Sequence, residues 1–287
     1  MSERWGLEQS RSIWFHDEFG LVPHLFKYHL LVNSSRDGMK WKSHKAIARV
    51  ISHEMGLPYD LEKALCEGSV DPDRRPDTLL RISRDGRGHV IRAPHHHPHT
   101  GTVMGHAWMA RRAYLQGNHY WAVRSLGRAL HYVQDKSVHT GFMFWAHDSR
   151  EEAIAKIDPP LKAVVMGMDM AISSPDFVRK CIVKVRPRRN ASDAMYQATL
   201  YSSAIFASVF TSPGTTEKSL NAYRRALRRR RLKWAFAAGM LAFSALAAFM
   251  LDSPMALVPG AVMAAAILAI DPHYRRLKGE AEWFGLR

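Results

Sequence analysis

LGRALHYVQDKSVHTGFMFWAHDSRE, from Leu126 to Glu151, places five ligand-type side chains in one short window. His131 and Asp135 stand four apart, His147 and Glu151 stand four apart, and His139 lies between the pairs. In an α-helix, residues four apart share a face and can hold one metal ion between them. A lone HxxxD carries little, because both residue types recur on solvated helix faces. Two such pairs with a histidine between them point instead to a helical metal site.

Working outward, GTVMGHAWMARRAYLQGNHYWAVRSLGRALHYVQD (101–135) reads as two helices broken at Gly117-Asn118, with Val123, Leu126, Leu130 and Val133 at helical spacing. HHHPHT (95–100) puts four histidines just before a helix start, a metal-binding composition. CEGSVDPDRRPD (66–77) is a turn-rich loop in which Asp71, Asp73 and Asp77 are candidate ligands, although Asp-Pro pairs also serve ordinary turns. RISRDGRGHVIRA (81–93) reads as a mobile basic loop or short hairpin. WKSHKAIARVISHEMG (41–56) is an amphipathic helix with His44, Ile47, Ala48 and Ile51 on one face, Ser43 as N-cap and Gly56 as its stop. A further helix is expected in His24–Val32 near the start, with NSSRDG (33–38) as a loop after it. Downstream come an apolar helix in LKAVVMGMDMAI, a proline- and basic-rich connector, VRKCIVKVRPRRNASD, and a helix over about 193–211. With no strand alternation evident, the expected class is all-α.

The chain of 287 residues is 47% hydrophobic, enough for one large domain or a medium domain with an appendage. Its net charge is +15, concentrated in RRALRRRRLK (224–233), which suits a polyanionic neighbour, either nucleic acid or an anionic membrane. Two cysteines, Cys66 and Cys181, make no disulfide framework and no CxxC, so zinc would be held by histidine and carboxylate. Charges at Glu3, Arg4, Glu8, Arg11, Asp17 and Glu18 argue against a cleavable secretory signal.

Residues 234–251 and 255–270 carry no charge and are separated by Asp252-Ser253-Pro254. Each run is near the lower limit for crossing a bilayer. A buried hairpin of a soluble protein is the alternative to a transmembrane helical hairpin. The basic flanks RRALRRRRLK and HYRRLKGE favour the membrane and, by the positive-inside rule, put both flanks and the large N-terminal domain on the cytoplasmic side of the cell membrane. The organisation expected is an extension (1–40), a helical metal domain (41–212), a basic juxtamembrane segment (213–233), the hairpin (234–270) and a basic tail (271–287).

The order of these ligands, with RRAYLQGNHYWAVRSLGRALHYVQDKSVH (111–139), GSVDPD and the HxxxE segment, resembles the zinc-dependent phospholipase C family over about residues 41–170. Single-strand-specific zinc nucleases share that helical fold. The resemblance implies two or three zinc ions. It implies Asp73, one of His95–His97, His131 and Asp135 at the first ion. Asp135 would bridge to a second ion also bound by His44, and His139, His147 and Glu151 would hold the third. Within the histidine run His96 is the first choice and His97 the next, while His89 also lies at a suitable distance from Asp73.

The chain departs from that family in three ways. Secreted members use the amine of an N-terminal tryptophan as a ligand, whereas Trp41 is internal here. The Asp135–His139 spacing is shorter than in the toxin-type enzymes. An apolar hairpin stands where toxin members carry a C-terminal β-sandwich.

The activity implied is phosphodiester hydrolysis by metal-activated water, with phospholipid as substrate, the membrane as partner and Asp73 as ligand and proton acceptor. Three other readings compete. One is a zinc nuclease or nucleotidase on the same site, with Trp108, Tyr120, Trp121 and Trp145 stacking bases. Another is an HD-type phosphohydrolase built on His147-Asp148. The last is a non-catalytic metal-binding membrane protein.

Overall fold

The computed structural model describes residues 39–83, 87–139, 152–211, 217–268 and 272–286. The helix expected in His24–Val32 lies outside them. The chain divides into two compact units, Met1–Ser212 and Pro213–Arg287. The described residues are mostly helical, with one two-stranded sheet.

The first unit runs α1 (Met39–Glu54), α2 (Tyr59–Gly68), the short α3 (Asp71–Arg74), β1 (Thr78–Ile82), β2 (Gly88–Arg92), α4 (Thr100–Leu115), α5 (His119–Lys136), α6 (Leu161–Asp169), α7 (Pro175–Lys184) and α8 (Ala191–Phe210). In α1, Ile47, Ala48 and Ile51 bury one face, and His44 is buried with them. Ser43 is not the N-cap, because residues from Met39 onward are already helical. Gly56, at φ 64°, takes the left-handed conformation that ends the helix.

Helix α5 is the hub and packs against α2, α4 and α8. The Asn118 side chain starts it by accepting from Trp121 N–H at 3.2 Å. Every residue from Ala129 to Asp135 is buried, so polar groups on this stretch must find partners inside the protein. Gly127 and Gly68 let α2 and α5 cross backbone to backbone. A Cβ on Gly127 would lie 2.6 Å from the Leu65 carbonyl oxygen and 2.7 Å from Ser69 N. This crossing brings the Ser69 carbonyl onto His131.

One segment departs from the expected pattern, and a second takes the hairpin form of its two expected readings. The basic connector is in part helix α7. Ser174 caps it by accepting from Asp176 N–H at 3.2 Å, Pro175 sits in its first turn, and Val178, Cys181 and Ile182 bury one face at helical spacing. Thr78–Ile82 and Gly88–Arg92 pair antiparallel as a hairpin, with Leu80 opposite Val90 and Leu79 opposite Ile91. Its base is closed by Ala93 N–H donating to the Asp77 carbonyl at 2.7 Å.

The second unit is α9 (Glu217–Met250), a single-turn 3-10 segment (Pro254–Ala256), α10 (Leu257–Leu268) and α11 (Pro272–Trp283). The basic segment and the first apolar run are one continuous helix, because arginine and alanine are both good helix formers. Gly260 lets α10 approach α9 closely, since a Cβ there would collide with the Ser244 hydroxyl. The residues expected to form a tail instead make α11. Its Tyr274 and Leu277 pack with Ala226 of α9, and Tyr274 lies under Arg230 at 4.2 Å. Among the described residues, Leu220–Met250 is long and apolar enough to cross a membrane. It exposes Phe236, Phe243, Leu246 and Phe249. Helix α10 has 12 residues, about 18 Å of rise, short of the ~30 Å hydrocarbon core.

Candidate metal centre

His131 and Asp135 lie one turn apart on the buried half of α5, with Nε2 and Oδ2 at 3.1 Å. His131 Nδ1 faces the Ser69 carbonyl oxygen at 2.9 Å. A carbonyl only accepts, so Nδ1 carries a proton and Nε2 is the ring atom turned toward the carboxylate. His44 repeats the arrangement. Its Nδ1 donates to the Gln134 side-chain oxygen at 2.6 Å, Gln134 donates onward to Ser202 Oγ at 3.3 Å, and Nε2 meets Asp135 Oδ1 at 3.2 Å. Asp135 therefore presents one oxygen to each histidine.

The loop after β2 adds His95. Its Nδ1 lies 2.9 Å from His131 Nε2, 3.2 Å from Asp135 Oδ2 and 3.4 Å from Asp73 Oδ1. Asp73 Oδ1 is 3.7 Å from His131 Nε2. In the run of three histidines the ring that joins the cluster is His95. The hairpin base fixes the path of the chain at Ala93, the His96 ring is committed through Nδ1 to the Asp135 main-chain carbonyl at 2.9 Å, and His97 is exposed. His89 lies in β2, paired with Arg81 and exposed.

Ring nitrogens of His95 and His131 and carboxylate oxygens of Asp73 and Asp135 converge here. A cation could take His95, His131 and Asp135 as ligands, with Asp73 beside them. Ligand bonds of about 2.0–2.1 Å in a tetrahedron require ligand–ligand separations of roughly 3.3 Å. Five of the six separations among these atoms run from 2.9 to 3.7 Å. The donor set fits a divalent ion, and two groups, His44–Asp73–His131 and His95–His131–Asp135, are close enough to hold one. A cavity of about 30 Å³ opens beside His44 and Asp135.

The same contacts shift the titrations. Burial would lower His44, but the Asp135 charge and hydrogen bond, with Gln134 and Asp73, push it up to about 9. Burial would raise Asp135, but the His131 and His44 partners hold it well below the carboxylate range. The hydrogen bond with Asp135 raises His95.

The remaining candidates separate. Asp71 pairs with Arg124 at 3.2 Å, away from the cluster. His139 follows α5, half-buried, with its main-chain N–H donating to Arg188 O at 3.1 Å. His147, Asp148, Glu151 and Trp145 lie outside the described residues. Trp41 sits in the first turn of α1, under Arg74 at 4.3 Å. Trp121 is exposed ten residues before His131, about 15 Å away along α5.

Asp77 holds a separate clasp. It accepts from His106 Nε2 at 2.8 Å, Tyr132 OH at 2.7 Å and Arg128 at 2.7 Å. Burial pushes its carboxyl up, but the hydrogen bonds and the His106 charge outweigh this and hold it far below 3.8. A depressed carboxylate contributes stability above its unfolded value, and the contribution fades as pH falls through the folded one. Asp77→Asn should therefore cost about 2 kcal/mol at pH 7. The gap from the parent should narrow below pH 3.8, the ordinary carboxylate value, in urea unfolding across pH.

Sequence reasoning does not reach Gln134 and the Ser69 carbonyl, the two groups that aim the histidines. The available signal is that Gln134 is a polar residue next to the candidate ligand Asp135, in the buried last turn of α5. Gln134→Leu should weaken metal binding by about 10–100-fold while leaving stoichiometry at saturation intact, as calorimetric titration would measure.

The chain matches no model of a known protein family, no curated protein and no solved structure.

Proposed function

We propose that this chain is a membrane-anchored, zinc-dependent phosphodiesterase of the phospholipase C type. One observation carries the reading. Two histidines are locked by buried acceptors so that both Nε2 atoms face the two oxygens of one carboxylate. Catalytic and structural metal sites are both built by such outer partners. The ligand order and its likeness to the zinc-dependent phospholipase C family support zinc and phosphodiester chemistry.

In this reading His95, Asp73, His131 and Asp135 hold one ion, Asp135 bridges, and His44 contributes to a second. His139, His147 and Glu151 are assigned to a third. The ions would supply an activated water and neutralise phosphate charge for in-line attack. Asp73, the most exposed of the carboxylates at the cluster, takes up the proton. The buried side of the site, closed by Ile47, Val138 and Ala198, keeps bulk water from the His44–Asp135 pair. Unit two inserts as a hairpin from its basic side and returns there, keeping the metal domain cytoplasmic.

The test is hydrolysis by zinc-loaded full-length protein. Headgroup release from phospholipid should exceed cleavage of single-stranded DNA. Cleavage of DNA with no headgroup release would select the nuclease reading, and full metal content with neither activity would leave a metal-stabilised membrane protein.

A further inference from the structure

Between the candidate ligands Asp73 and His95 the chain makes the β1–β2 hairpin, and this hairpin has an unusual outer face. Side chains alternate along a strand, so Leu80 and Ile82 share a face with Val90, the partner of Leu80. These three aliphatic side chains are 70%, 68% and 72% exposed. The opposite face carries Leu79 and Ile91, which are half-buried. A solvent-facing hairpin would ordinarily carry polar or charged residues there. Arg92 shares the face of Leu80, Ile82 and Val90, Arg87 is exposed just before β2, and Arg81 lies on the opposite face with His89; neither strand contains an acidic residue.

We infer that the outer face of the β1–β2 strand pair dips into the phospholipid interface. Leu80, Ile82 and Val90 enter the acyl boundary, and Arg92 on the same face, with Arg87 beside it, meets lipid phosphates. The charge decides the occupant, since an aliphatic patch in an all-cationic strand pair suits an anionic bilayer surface. The base of the hairpin is held independently of that face. The Ala93–Asp77 main-chain bond and the Asp77 clasp to His106, Tyr132 and Arg128 fix it to the frame that carries His131 and His95. Lipid engaged by the outer face is thereby tied to the ligand loop. This inference rests on the proposal that lipid is the substrate.

Depth labelling tests it. Cys66 and Cys181 are both buried, so a thiol placed on the surface can be labelled selectively. Val90→Cys and Phe243→Cys full-length proteins, each carrying an NBD fluorophore, are placed in nanodiscs of phosphatidylcholine and phosphatidylserine. Emission from position 90 should shift to the blue and be quenched by lipid carrying a shallow doxyl group. A label at 90 that stays aqueous while that at 243 is quenched overturns the inference. If both stay aqueous, the membrane reading itself falls. A blue shift without doxyl quenching means that protein covers the face, and also overturns it. In the enzyme, Leu80→Asp with Val90→Asp should raise KM on vesicles. Turnover of a monomeric short-chain phospholipid and metal content should stay as in the parent. Equal loss on both substrates would show a merely structural role.

Discussion

Asp135→Ala is expected to strip more than one metal equivalent from the protein and to abolish hydrolysis. The geometry singles out this carboxylate, because Oδ2 meets His131 and His95 while Oδ1 meets His44. Removing a ligand to one ion disturbs that ion, and removing a bridge disturbs two. His95→Ala and His44→Ala should each cost about one equivalent. Asp135→Asn keeps the shape and removes the charge, and should weaken binding by more than about 100-fold, beyond the effect of losing an outer partner. Metal analysis of the purified variants, with helicity checked by circular dichroism, decides the matter. Loss of a single equivalent from Asp135→Ala would place the residue at one site only. If Asp148→Ala strips metal while Glu151→Ala does not, the HD-type reading replaces the one proposed.

The second large effect is on fractionation. A chain ending at Ser212, the boundary between the two compact units, should move from the membrane pellet to the soluble fraction and keep its metal. The full chain should need detergent, because α9 exposes Phe236, Phe243 and Phe249 along an otherwise charge-free stretch. Recovery of the full chain in carbonate-washed supernatant would count against insertion.

Much of the frame can be read from the chain alone. The helix break at Gly117-Asn118 and the shared face of His131 and Asp135 follow from spacing and turn chemistry. Among three consecutive histidines, however, spacing cannot choose. His95 faces the cluster because of a hairpin base set by Asp77 and Ala93, which is a tertiary fact. Gln134 is silent for the same reason, since its partner His44 lies in a different helix. Helix α7 was hidden by its lysines and arginines, which mask the apolar spacing of Val178, Cys181 and Ile182. The exposed aliphatics of the hairpin look like ordinary strand residues until the register shows that they share an outer face.

The candidate ligands come from α1, α3, the loop after β2, and α5, four stretches far apart in sequence. An ion bound among them would act as a staple on the chain, closing several long loops at once. In an unfolded ensemble such closures are entropically expensive. Only His131 and Asp135 are neighbours by helix register alone, so α5 can meet an ion as soon as it coils, with Asp73, His95 and His44 arriving as the rest condenses. Metal would then govern the rate at which the domain comes apart. Chelation should shorten its survival against protease, and the amides at the Asp77 clasp should exchange last.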